Sequence, residues 1–141
     1  MAHKATQVAD ARILVVEDDE NNRIVAIKLL QLVGVQPNHI VSFEKDPMPH
    51  LPAQMPQGAD LVLLDLQLPE KDGYQILAVM KADPVWRNVP IVAMTANVML
   101  KDLDKARMAG FDGFIGKPIS AMRFAEWIRR ILDGEEVWSA Q

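Results

Sequence analysis

Polar residues that could do chemistry stand where short apolar runs end. Residues 61–64 (LVLL) run into Asp65, and residues 12–16 (RILVV) run into Glu17, Asp18 and Asp19. Residues 89–94 (VPIVAM) stop at Thr95, and residues 112–115 (DGFI) stop just short of Lys117. An unpaired carboxylate at the mouth of a buried strand is costly or is forced to neutralise, so Asp65 needs a partner or a use. Carboxylates crowded on one rim repel, and their pKa values rise unless a cation sits among them. Oxygen ligands without His or Cys suit Mg²⁺, which keeps waters and takes one or two carboxylates plus phosphate oxygens. With the Lys117 charge and the Thr95 hydroxyl added, the set forms a cradle for a phosphoryl group, with Asp65 as the carboxylate nucleophile. Each piece alone has an ordinary reading. Acids after a strand favour a helix N-terminus, a strand-end Thr reflects β-propensity, and Asp72-Gly73 reads as a helix entry. Their joint occurrence at strand ends is what points to chemistry.

Those residues converge only if the strands are parallel neighbours. Strand and helix signals alternate along the chain. Residues 20–33 have helical spacing with Gly34 placed to stop them, and residues 39–43 form a weaker strand. Residues 74–81 form a helix stopped by Asp83-Pro84, residues 99–109 another closed by Gly110, and Ser120 caps a last helix over 121–132. Five short strands alternating with helices predict an α/β domain: a doubly wound five-stranded parallel sheet with helices on both faces. With strand order 2-1-3-4-5, the first, third and fourth strands are neighbours and the polar groups share one rim, outside the carboxyl ends. The second connection is unusual. DPMPHLPAQMPQG (46–58) carries Pro47, Pro49, Pro52 and Pro56, and an interior proline costs a helix about 3 kcal/mol, so a helix of one or two turns after an extended lead is expected.

The composition sets the remaining bounds. At 141 residues, half of them apolar, the chain suits one domain with a sizeable core. It has no run of apolar residues long enough for a membrane span and no signal-peptide pattern at MAHKATQVAD, so the cytoplasm is the default compartment. The absence of cysteine removes disulfides and thiolate metal sites, and His3, His39 and His50 are too scattered for a metal cluster. A net charge of −4 and a pI near 5.3 argue against a general nucleic-acid binder, and neither nucleic acid nor membrane is expected as a partner.

Taken together, ILVVEDD (13–19), LVLLDLQLP with the later DG (61–73), PIVAMTA (90–96) and GFIGKP (113–118) resemble a bacterial two-component response regulator. The resemblance is to its receiver domain, of the flavodoxin-like fold, and it covers about residues 11–132. It implies that Asp65 is the phospho-acceptor, taking a phosphoryl group from a phosphohistidine on a sensor histidine kinase or histidine phosphotransfer protein. It also implies Mg²⁺ (or Mn²⁺) bound by Asp18, Asp65 and the backbone carbonyl of Gln67, with Glu17 reaching it through water. Thr95 and Lys117 would engage the phosphoryl oxygens, and Phe114 matches the aromatic switch position. Any turnover implied is metal-dependent self-phosphorylation and autodephosphorylation, with no separate substrate. Phe114 departs from a tyrosine in lacking a hydroxyl. Only DGEEVWSAQ follows the last helix. The sequence therefore reads as a stand-alone receiver in a phosphorelay, with a flexible leader (1–10), a receiver domain (11–133) and a tail (134–141). It would signal to a downstream protein target by contact or by onward phosphotransfer.

The first helix is apolar nearly all round. Val25, Leu29, Leu32 and Val33 form the expected core stripe, which should occupy little more than about 100° of the circumference. Ile24 and Ile27 fall off it. Single exposed apolar residues are normal, but these two could form a patch beside the acidic rim for docking the phosphohistidine donor. Two other function classes compete with the receiver. A haloacid-dehalogenase-type phosphatase needs a second acid two residues beyond its nucleophile, where Gln67 stands. A pseudo-receiver, binding partners without phosphorylation, is the stronger alternative, although no acid, Thr or Lys is lost here.

Overall fold

The computed structural model describes residues 7–96 and 100–139, so His3, Met99 and most of the 1–10 leader lie outside the described residues. Six parallel strands form one sheet in the order β2-β1-β3-β4-β5-β6. They are β1 (Ile13–Val16), β2 (Ile40–Phe43), β3 (Leu61–Asp65), β4 (Ile91–Thr95), β5 (Gly113–Gly116) and β6 (Trp138–Ser139). The helices are α1 (Glu20–Val33), α2 (Leu51–Gln54), α3 (Gly73–Ala82), α4 (Leu100–Ala109) and α5 (Ala121–Leu132). Strands β1, β3, β4 and β5 are buried from end to end, as a parallel sheet covered on both faces requires. Alternate side chains feed two cores. Leu14, Val16, Val62 and Leu64 meet α2, α3 and α4 on one face; Ile13, Val15, Leu61 and Leu63 meet α1 and α5 on the other. Among the described residues no helix is long and apolar enough to cross a membrane.

Local chemistry sets the helix ends. Asp19 caps α1, its carboxylate accepting from the Asn22 amide at 2.9 Å, and Gly34 stops the helix at φ 123°. Asp72 and Gln75 form a reciprocal capping box at the start of α3. Ser120 caps α5. The proline-rich connection does yield a single-turn α2. Its lead is not extended, however: a 3₁₀ turn over Met48–His50 precedes it, begun by Asp46, whose carboxylate accepts from the Met48 amide at 3.0 Å. Pro49 and Pro52 fall in the first turns of these short helices, where no amide hydrogen is needed.

One further sequence expectation is corrected, and one element is added to the expected fold. Helix α1 buries Ala26, Leu30 and Val33, with Leu29 half-buried, whereas Val25 and Leu32 are exposed. The real stripe is rotated from the expected one because the helix is apolar on most sides and periodicity alone cannot orient it. The sheet also gains a sixth strand. After α5 the chain turns back and β6 pairs with the outer edge of β5, Phe114 opposite Trp138. The Phe114 amide donates to the Val137 carbonyl at 2.8 Å. A Cβ on Gly113 would lie 2.7 Å from that carbonyl oxygen, so only glycine permits this approach.

Candidate functional site

Strand β1 delivers the acidic group. The ladder continues one residue past the strand, the Glu17 amide donating to the Phe43 carbonyl at 2.9 Å, and this pins Glu17 in a buried position. Its carboxylate accepts from the Asp19 amide at 3.2 Å, and its carbonyl accepts from the Arg23 guanidinium at 3.1 Å. Asp18 is exposed beside it. Asp65, the last residue of β3, is only 2% exposed, and one carboxylate oxygen accepts from the Gln67 amide at 3.0 Å. Lys117 spans the two strand ends. Its ammonium donates to Glu17 at 2.8 Å and to the other oxygen of Asp65 at 3.3 Å, while its own amide donates to the Thr95 carbonyl at 2.8 Å. Thr95 is buried at the end of β4, one residue beyond the Asp65–Met94 pair.

The electrostatics are those of a site with surplus negative charge. Burial, and then the neighbouring Asp65 carboxylate, raise the Glu17 pKa above its ordinary value, although Lys117 and the Asp19 amide pull it down. Burial alone would lower the Lys117 pKa, but Glu17 and Asp65 outweigh it and hold the ammonium more tightly protonated. One ammonium faces the carboxylates of Glu17, Asp18 and Asp65, each of which offers an oxygen within 4.8 Å of the others. Hard oxygen donors carrying uncompensated charge fit a small divalent cation such as Mg²⁺, and nothing in the set favours a softer metal.

The structure thus brings together Glu17, Asp18, Asp65 and Lys117, with the Thr95 backbone tied to Lys117. At Gln67 the contact it places is the amide on Asp65. Phe114 lies elsewhere, fully buried against the α4 side of the sheet with Ala106, Phe111 and Trp138. Its strand neighbour across the β5–β6 pair is Trp138. Ile24 is exposed and Ile27 half-buried on α1.

Two residues bearing on the site were not singled out from sequence. Arg23 is one, and a lone basic residue in a helix gives no signal. Gly73 is the other. Its amide donates to the Leu66 carbonyl at 3.0 Å, and a Cβ there would lie 2.5 Å from the Asp65 carbonyl oxygen. Glycine thus lets the start of α3 press against the backbone of the acceptor residue, and its only sequence mark was the Asp72-Gly73 pair.

Comparison with known proteins finds the same kind of domain. The family model for the response regulator receiver domain matches residues 13–129. The chain is 32% identical over 120 residues to the polar-differentiation response regulator DivK of Brucella anthropi, covering 85% of this chain and 94% of that one. A solved receiver domain of a sensor histidine kinase from Pseudomonas aeruginosa, with magnesium coordinated in its active-site cleft, is 28% identical with a TM-score of 0.70. That match covers 88% of this chain and 95% of the other. The chemotaxis protein CheY4 of Vibrio cholerae shares the fold at 16% identity, with a TM-score of 0.74 over 86% of this chain and 98% of its own.

Proposed function

The chain belongs to the response regulator receiver domain family, and on that premise we propose that Asp65 accepts a phosphoryl group from the phosphohistidine of a sensor histidine kinase or histidine phosphotransfer protein. An Asp65 carboxylate oxygen attacks phosphorus while the phosphorus–nitrogen bond to the imidazole breaks. The ring nitrogen leaves with that electron pair and takes up a proton, and an aspartyl phosphate remains. The observation that carries the reading is the Lys117 ammonium, held at 2.8 Å from Glu17 and 3.3 Å from Asp65 at the rim. A fixed cation there meets the charge of the incoming phosphoryl oxygens without having to reorganise. The Gln67 amide fixes the plane of the acceptor carboxylate.

Asp18, Asp65 and the Gln67 carbonyl would hold Mg²⁺ or Mn²⁺, with Glu17 reaching it through water. A bound cation supplies charge neutralisation for the phosphoryl oxygens. The Thr95 hydroxyl then donates a hydrogen bond to one of those oxygens, and the change at Thr95 and Lys117 is passed to the neighbouring β5 and α4. Donor docking belongs on α1, where Ile24, with Ile27 beside it, borders the acidic rim. The receiver region spans residues 11–133, the partners are proteins, and a cytoplasmic location goes with a kinase donor.

Incubation with a small-molecule phosphodonor and Mg²⁺, followed by intact mass, tests the reading. The wild type gains one phosphoryl group and Asp65→Asn gains none while keeping its fold. Labelling that persists in Asp65→Asn at Asp18 or Asp19 overturns the assignment. A wild type that never labels leaves the chain as a phosphorylation-independent binding module.

A further inference from the structure

Helix α4 is lightly seated. Among its described side chains only Ala106 is fully buried, Leu103 is half-buried, and Arg107 and Met108 face solvent. Two aromatic posts flank it instead. The Lys105 ammonium lies 4.6 Å from the centre of the Tyr74 ring on α3, and the Arg107 guanidinium lies 4.4 Å from the centre of the Trp138 ring on β6. Tyr74 is backed edge-on by Phe111 at 5.6 Å. Trp138 is held as firmly: the buried Val137 precedes it, the Val137 carbonyl accepts from Phe114, and the indole N–H donates to Glu136 at 2.9 Å. Gly113 leaves room for that approach. The last strand is therefore built into the sheet, and its aromatic ring is presented to α4.

We infer that β6 is a restraint on α4: Trp138 holds Arg107 on the flank away from Asp65, and so opposes phosphorylation. The inference rests on Asp65 being the phospho-acceptor. The direction follows from the strand order. Asp65 ends β3, Thr95 ends β4, and β6 lies two strands further out. A phosphoryl group on Asp65 sits on the β3 side of Thr95, so engaging the Thr95 hydroxyl draws the end of β4 toward β3 and, with it, α4 toward α3. That motion shortens the Lys105–Tyr74 side and lengthens the Arg107–Trp138 side. Labelling proceeds faster from the conformation in which α4 has already shifted, so a contact that holds α4 back lowers the population of that conformation and the labelling rate with it.

The test measures labelling rates with a small phosphodonor and Mg²⁺ by intact mass, with far-ultraviolet circular dichroism as a fold check. Arg107→Gln and Trp138→Ala should label about 3-fold faster than wild type, the size of effect an exposed cation–π pair can supply. Trp138→Phe keeps a ring and should stay near the wild-type rate. Lys105→Gln removes the post on the Asp65 side and should label more slowly. Arg107→Gln replaces an exposed side chain, so the proposal stays testable even if Trp138→Ala fails to fold. In protein carrying 5-fluorotryptophan, the Trp138 resonance, assigned with Trp138→Phe, should move on phosphorylation toward its position in Arg107→Gln. Equal rates in all forms with an unmoved Trp138 resonance overturn the restraint and leave the phospho-acceptor reading standing. Acceleration by both Arg107→Gln and Lys105→Gln overturns it as well, because loosening α4 on either side would then suffice. Absence of labelling in the wild type defeats the phospho-acceptor reading itself, and the restraint with it.

Discussion

Helices α5 and α4 have similar lengths and flank the same strand, yet they are attached in opposite ways. Helix α5 buries Phe124, Trp127, Ile128 and Ile131, at the i, i+3, i+4, i+7 spacing of one helical face, and packs beside α1. Among its described side chains, helix α4 offers Ala106 and half of Leu103 to the core, and cation–π contacts hold its flanks. On the firm face of α1 and α5, the last helix is fixed by area removed from water. On the other face α3 is likewise buried, through Ile76, Leu77 and Met80, and α4 is held by a few contacts whose energies are small enough for a single charge at the rim to reverse. Thr95, the proposed phosphate sensor, opens the connection into the lightly held helix, which is where a weak signal can be converted into movement.

The largest effect should come from cutting into the firm face. Phe124→Ala removes a fully buried ring and should cost about 3–5 kcal/mol in urea unfolding. Leu103→Ala, on the other face, should cost about 1 kcal/mol, because only part of a leucine leaves the core. Similar losses for the two variants would erase the contrast between the helices.

Legibility differed even between the two helices of the firm face. The apolar spacing of α5 has one solution, and the structure adopts it. Helix α1 had several, since Ile24, Val25, Ile27, Leu29 and Leu32 surround it, and the expected stripe missed Ala26 altogether. The acidic rim was readable because a parallel sheet sends every carboxyl end to one edge, so Glu17, Asp18, Asp65, Thr95 and Lys117 could be gathered without knowing any distance. Strand β6 was not readable. A two-residue strand after Gly134 has no alternation to detect, and its sole herald was Gly113, a residue without a side chain inside a buried run. The bond from Arg23 to the Glu17 carbonyl depends on a rotamer, and no spacing rule encodes that.

A second prediction asks whether the α4 side is loose throughout. It is not, at Gly73, where α3 presses against the backbone of Asp65 and Leu66. Gly73→Ala must push that contact apart and should cost about 1–3 kcal/mol, with labelling of Asp65 slowed in proportion to its displacement. Wild-type stability in this variant would mean that the contact yields freely and the acceptor is not braced from this side.

A third prediction uses the firm face as a landing surface. A donor docked on α1 would meet a helix packed on the face of the sheet opposite α4, which suits orientation of its phosphohistidine over Asp65. Ile24→Ala with Ile27→Ala should slow transfer from a protein donor by about 10-fold, equivalent to about 1.4 kcal/mol. Labelling by a small phosphodonor should be nearly unchanged. Equal loss with both donors would mean that the half-buried Ile27 matters to the core more than to the partner.

The smallest effect concerns charge at the edge of the firm face, and its sign can be worked out. Glu17 has a pKa raised in the folded chain above its ordinary value, by burial first and by Asp65 second. A carboxyl group of that kind binds its proton more tightly when folded than when unfolded. Its contribution to stability is fully present below the unfolded pKa and is lost as pH rises through the folded one. In metal-free protein, Glu17→Gln removes this loss, because the amide stays neutral. The advantage of the variant over wild type should therefore be larger at pH 7 than at pH 4.5, read from urea midpoints in the presence of a chelator. The variant also gives up the charge that Glu17 offers Lys117 at 2.8 Å, while the ammonium keeps Asp65 as a partner, so the comparison reads burial and repulsion net of that ion pair. Adding Mg²⁺ should reverse the order at pH 7, since a cation that binds the folded chain stabilises the wild type through the very charge the variant lacks. A gap that does not change with pH or Mg²⁺ would show that Glu17 is at ease beside Asp65, and that the rim has no surplus charge to offer a metal.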